Sequence, residues 1–89
     1  MIAGPQIRAA RALLGIGQQE LSTLAQVGIN TVKRAESLEM TGSVRTLWKI
    51  QTALEAAGVE FIPADETRGP GVRLKRQGAQ KVSKTRGQP

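Results

Sequence analysis

The chain has no cysteine and no histidine, and only one tryptophan and one phenylalanine among its 89 residues. Without cysteine there can be no disulfide and no thiolate metal site. Without histidine as well, a zinc centre has almost no ligands left to use. Enzymes that rely on His or Cys chemistry are excluded with them, nothing pairs a nucleophile with a base, and no cofactor is expected. No apolar run approaches the ~20 residues that span a bilayer. The opening stretch MIAGPQIRAARALLG carries arginines inside its apolar part and has no signal-peptide core. These absences lead to the expectation of a non-enzymatic, soluble, cytoplasmic protein with no small-molecule ligand. Eighty-nine residues suit one small domain, with only a few kcal/mol of net stability.

What is present is charge, unevenly placed. Residues 1–66 hold six Lys/Arg and seven Asp/Glu, a net of −1, whereas residues 67–89 hold seven Lys/Arg and no acid, a net of +7. The overall +6 therefore belongs to the C-terminal tail. A nucleic-acid argument for the core must rest on local placement, where Lys33, Arg34, Arg45 and Lys49 cluster.

The informative stretch is QQELSTLAQVGINTVKRAE, Gln18 to Glu36. Leu21 and Ala25 are one helical turn apart, and so are Val32 and Ala35; each pair shares a stripe. Val27-Gly28 between them allows only a tight turn. The pattern predicts two short helices, about 18–25 and 29–37, crossing over a seam of Leu21, Ala25, Val27, Val32 and Ala35. The second helix then turns Asn30, Thr31, Lys33 and Arg34 outward. An amide, a hydroxyl, an ammonium and a guanidinium on one short helix suit the DNA major groove.

Before this pair, Pro5 suits a first helical turn, and a helix over about 5–14 would face Ile7, Ala10 and Leu14 inward, ended by Gly15-Ile16-Gly17. After it, Ser43 is a natural N-cap for a fourth helix, about 44–57, with Leu47, Ile50, Leu54 and Ala57 as its apolar stripe and Gly58 as its stop. Trp48 sits beside that stripe, as core or as a contact for a second subunit. Then the period changes. Val59-Glu60-Phe61-Ile62, stopped by Pro63, and Gly71-Val72-Arg73-Leu74-Lys75 read as a β-hairpin across a loop at 64–70. An isolated hairpin is marginal; it gains by packing on the fourth helix or by joining the same hairpin of a second chain. Dimerisation is assigned to Trp48, Val59, Phe61, Ile62, Val72 and Leu74. From Arg76 to Pro89 little can be buried, and disorder is expected.

Residues 7–57 resemble the Cro and phage-repressor type of helix-turn-helix domain, the XRE family. The resemblance rests on Gln18, Glu20-Leu21, Thr31-Val32 and Arg34-x-Glu36, continuing in Thr46-Leu47, Lys49-Ile50 and Ala53-Leu54. It implies a mainly α fold: a compact four-helix helix-turn-helix domain (1–58), a short C-terminal β-hairpin as dimerisation element (59–75) and a flexible basic tail (76–89). By position, the base-reading residues fall on Ile29, Asn30, Lys33 and Arg34. Asn30 would read adenine, Arg34 guanine, and Ile29 a thymine methyl. Backbone contacts would come from Gln18, Gln19, Thr31, Ser43, Arg45 and Lys49. Arg11 would pair with Glu36, the alternative being that it snorkels to solvent.

Two departures from the family pattern lie in the turn, where Gln26 replaces a usual glycine and Gly28 a usual serine. Either Gln26 is left-handed, or the turn is displaced so that Gly28 takes that conformation. The next loop has Leu38, Glu39 and Met40 where basic residues often hold phosphate, so it is not expected to do so. The resemblance thus implies a transcriptional regulator, a repressor that binds an inverted-repeat operator on double-stranded DNA as a homodimer. The alternative is an antitoxin that neutralises a partner protein; a toxin or co-regulator is the protein partner to consider. The tail's few apolar anchors (Val72, Leu74, Val82) and positive sign weigh against the alternative. Its lack of aromatic residues weighs against sequence-specific RNA binding.

Overall fold

Helix α1 (Gly4–Leu14) opens the chain, and Pro5 lies in its first turn. Gly15 ends it in the left-handed conformation (φ 71°), where a residue without Cβ is unstrained. Helices α2 (Gln18–Ala25), α3 (Ile29–Glu36) and α4 (Val44–Ala56) follow, then strands β1 (Val59–Ile62) and β2 (Gly71–Leu74). The computed structural model describes residues 2–37 and 43–76. Leu38, Glu39, Met40 and nearly all of the tail lie outside them, and so do the expectations placed there. Among the described residues the chain is mainly helical with one small antiparallel sheet.

The core forms where every element turns one stripe inward. Its fully buried large side chains are Ile7 of α1, Leu21 of α2, Val32 of α3, Ile50 and Leu54 of α4, and Val59 of β1. Removing such side chains from water is worth roughly 1.5–3 kcal/mol each. Ile2, Ala10, Ala25, Ala35 and Leu47 complete the cluster, with Leu14 and Val27 partly buried against it. Ala57 departs from its expected place on the α4 stripe: it caps the helix, outside the last turn, and is exposed.

The turn between α2 and α3 resolves the two alternatives for its backbone. Gln26 takes the left-handed conformation, φ 58° and ψ 47°, and is the one non-glycine residue with positive φ among those described. Gly28 is ordinary extended backbone at φ −71° and serves as the N-cap of α3. Its lack of a side chain leaves α3 without a side-chain cap.

The hairpin pairs Val59 with Leu74, Glu60 with Arg73, Phe61 with Val72 and Ile62 with Gly71. It packs on the helices of its own chain, β1 against α4 and β2 against α1. Buried Gln6 ties this junction: its Oε1 accepts from Ala3 N at 2.8 Å and its Nε2 donates to Gly71 O at 3.0 Å. Lys75 closes the other end, donating from its backbone N to Gly58 O at 2.7 Å and from Nζ to Glu55 O at 3.0 Å. Val59 is therefore core and not a contact for another chain, a correction to its assignment to dimerisation: at 0% exposure its own helices already cover it.

Candidate nucleic-acid interface

Helix α3 is short, and its buried side is held by a polar hub as well as by Val32 and Ala35. The hub is Glu36, only 4% exposed. Arg11 grips it with two bonds, Nε to Oε2 at 2.5 Å and Nη2 to Oε1 at 3.1 Å. Arg11 Nη1 also donates to Ile16 O at 3.1 Å, fixing the α1–α2 connection. Gln18 Nε2 donates to Glu36 Oε1 at 3.0 Å, and Arg8 Nη1 donates to the Glu36 backbone carbonyl. A buried carboxylate is tolerable only with such pairing and added donors. Among the described residues no buried side-chain polar atom lacks a partner.

The result is a helix whose last turn is clamped to α1 and α2 while its other side stays open. Asn30, Lys33 and Arg34 are exposed, at spacings of three and four residues that align them in one row. None of the three side chains bonds to another described residue. Ile29 and Thr31 beside them are half-buried. Lys33 and Arg34 lie in the last turn, where a cation also suits the helix dipole. At the other end, the N–H groups of Ile29 and Asn30 precede the first helical bonds, which run from Thr31 and Val32 to Gly28 O. An amide, an ammonium and a guanidinium in one row, with free N–H groups at its head, can bind an anionic backbone and hydrogen-bonding base edges.

The expected backbone-contact residues divide. Arg45 and Lys49 are exposed on α4, and their side chains make no bond to a described residue. Gln19 is exposed, with a long 3.4 Å bond from Nε2 to Ser22 Oγ. Gln18 turns its amide inward to Glu36, which leaves mainly its backbone N–H for a phosphate. Glu20, in the same first turn, caps Gly17 N at 2.7 Å and adds negative charge there. Ser43 is the N-cap of α4: its Oγ accepts from Thr46 N at 3.1 Å and donates to Thr46 Oγ1 at 3.0 Å. Its proton is thus engaged inside the chain.

No family model matches the chain, and no curated protein does.

Of the residues assigned to dimerisation, Trp48 (65% exposed) and Leu74 (49%) are open, whereas Phe61 and Val72 pack against the core. Sequence reasoning missed Gly4, Gln6 and Arg8. Gln6 and Arg8 bond to backbone carbonyls 65 and 28 residues away, which no local pattern marks. It also missed the cross-strand pair of Arg73 Nε with Glu60 Oε1 at 2.9 Å. That hydrogen bond and the charge of Arg73 hold the Glu60 carboxyl below its ordinary range, and Glu60 raises Arg73 in return. Asp65 is lowered by backbone N–H bonds from Thr67 (2.9 Å) and Arg68 (2.8 Å). An aspartate bonding the backbone two and three residues on is a readable turn signal.

Proposed function

We propose that this protein is a sequence-specific double-stranded DNA-binding regulator of the helix-turn-helix type, acting as a repressor, with α3 as the helix that enters the major groove. The observation that carries this reading is the open row of Asn30, Lys33 and Arg34 on a helix anchored by Glu36. A rigid helix with unsatisfied outward donors is what base-edge readout needs, because side chains placed by a locked backbone lose little freedom on binding. Asn30 offers a bidentate pair to adenine N6 and N7, and Arg34 one to guanine O6 and N7. Lys33 and Lys49 serve phosphates, a salt-dependent and sequence-independent contribution.

One short helix reads a few base pairs, so specificity calls for two copies on half-sites about 34 Å apart. Selection of bound sites from a random duplex pool tests the reading, and inverted half-sites are expected. Asn30→Ala and Arg34→Ala should each cost about 1–3 kcal/mol of binding and relax the preference at one base position. Lys33→Ala should weaken all sequences alike and shallow the salt slope by about one unit. If both alanine variants, shown to be folded, keep the same selected site, α3 is not the reading helix.

A further inference from the structure

Helix α4 carries exposed apolar side chains that no described residue covers. Val44 and Trp48, one turn apart, are each 65% exposed, more than any other large apolar side chain described. At 100° per residue Val44, Trp48 and Thr52 form one row along the exposed side of α4, beside the stripe of buried Leu47, Ile50 and Leu54. Arg45 and Glu55 flank this row at its two ends. The hairpin turns Val59, Phe61 and Val72 into the chain's own core.

The geometry points to a second copy of this chain as the occupant, with the two α4 helices packed antiparallel about residue 50. This deepens the DNA-binding reading, which requires two copies. In that register residues whose numbers sum to about 100 lie opposite one another. Trp48 then meets Thr52 of the second copy, and Val44 meets Ala56 of the second copy. Arg45 comes within reach of Glu55 of the second copy, and the two-fold repeats each contact. Glu55 has an oxygen to offer, because only its Oε2 is engaged, by Gln51 Nε2 at 3.1 Å. A parallel arrangement would instead set Arg45 beside Arg45 and Lys49 beside Lys49, a repulsive match.

The size of the seam sets its strength. Thirteen residues of α4 rise about 20 Å. One helix width along that length covers far less than the ~800 Å² per partner of a standard interface. The pair is therefore weak in free solution and assembles fully at high concentration or on a two-half-site duplex, where linkage raises the local concentration.

Trp48 is the chain's only tryptophan, so the emission reports the surroundings of this one side chain. The full chain without DNA is followed by sedimentation and tryptophan emission from micromolar to millimolar concentration. A rise in mass to the dimer, with emission moving to shorter wavelength in step, is expected. Trp48→Ala should weaken the association by roughly 30-fold, as for a central aromatic anchor. Arg45→Glu and Glu55→Arg should each weaken it, and the double exchange should restore it. Both exchanges suit the α4 dipole, acid in the first turn and base in the last, so folding is retained. A monomer mass throughout with unmoved emission overturns the seam. So does a dimer whose affinity ignores Trp48→Ala and both charge exchanges. Because DNA is absent, the result is independent of the reading-helix test: binding of a single half-site that depends on Asn30 and Arg34 can stand when the seam fails, and the reverse.

Discussion

Gly4 lies directly against the end of α3: a Cβ placed on it would stand 2.6 Å from the Glu36 carbonyl oxygen and 2.9 Å from that of Ser37. The first turn of α1 thus meets the last carbonyls of α3 at a distance only a bare Cα allows. Arg8, one turn further along α1, donates to the same Glu36 carbonyl. Helix α1 therefore covers the C-terminus of the proposed reading helix with both a close backbone approach and a cation.

Gly4→Ala should destabilise the fold by about 1–3 kcal/mol, since backbone lies on the other side of the clash and must shift. Alanine is the better helix former by roughly 1 kcal/mol, so propensity alone predicts the opposite sign. Thermal or urea unfolding decides between them. An unchanged or higher midpoint would mean that α1 and the end of α3 part easily enough to admit a Cβ.

Arg11→Ala should cost about 3 kcal/mol or more, because Glu36 would keep its buried charge without its main partner. In a domain this small that is much of the total stability. Arg11→Lys should recover only part, since an ammonium cannot make the two-bond contact. The comparison is by chemical denaturation. Equal loss for alanine and lysine would indicate that bidentate geometry is what matters, and no loss for either would remove Glu36 as the hub.

Gln26→Gly should stabilise the protein by up to about 1 kcal/mol. The left-handed conformation costs an L-residue roughly 1–2 kcal/mol, partly offset by the greater freedom glycine loses on folding. Gln26→Val should be worse than the parent, being β-branched at positive φ. If the glycine variant melts lower, the turn draws support from the glutamine side chain that its backbone does not reveal.

Acid should weaken the hairpin end. Glu60 and Asp65 have folded pKa values below their ordinary 4.5 and 3.8. Such groups bind protons more readily when unfolded, so their contribution is full above those ordinary values and is lost as pH falls through the folded ones. Both are solvent-exposed, so the effect is small, and that from the Glu60–Arg73 pair shrinks with salt. Denaturation of the parent and of a Glu60→Gln, Asp65→Asn variant between about pH 3 and pH 6 measures it. The variant should show the shallower acid decline, and parallel curves would refute the assignment.

The helices and strands were legible in the sequence because their signals are local. Leu21 and Ala25, Val32 and Ala35, and Leu47, Ile50 and Leu54 mark buried stripes by spacing alone. Ser43 and Gly15 mark ends through their own side chain or lack of one. The open row of Asn30, Lys33 and Arg34 followed from the same periodicity. Other features depend on which distant backbone arrives beside a residue, and only the tertiary structure decided them. Chain spacing could not show that Gly4 faces the carbonyls of α3, that Gln6 reaches Gly71, or that Gln18 turns inward to Glu36. Nor could it show that Val59 joins the core while Trp48 stays outside. A stripe says which side of an element avoids water; what covers that side is set by the packing of the whole chain.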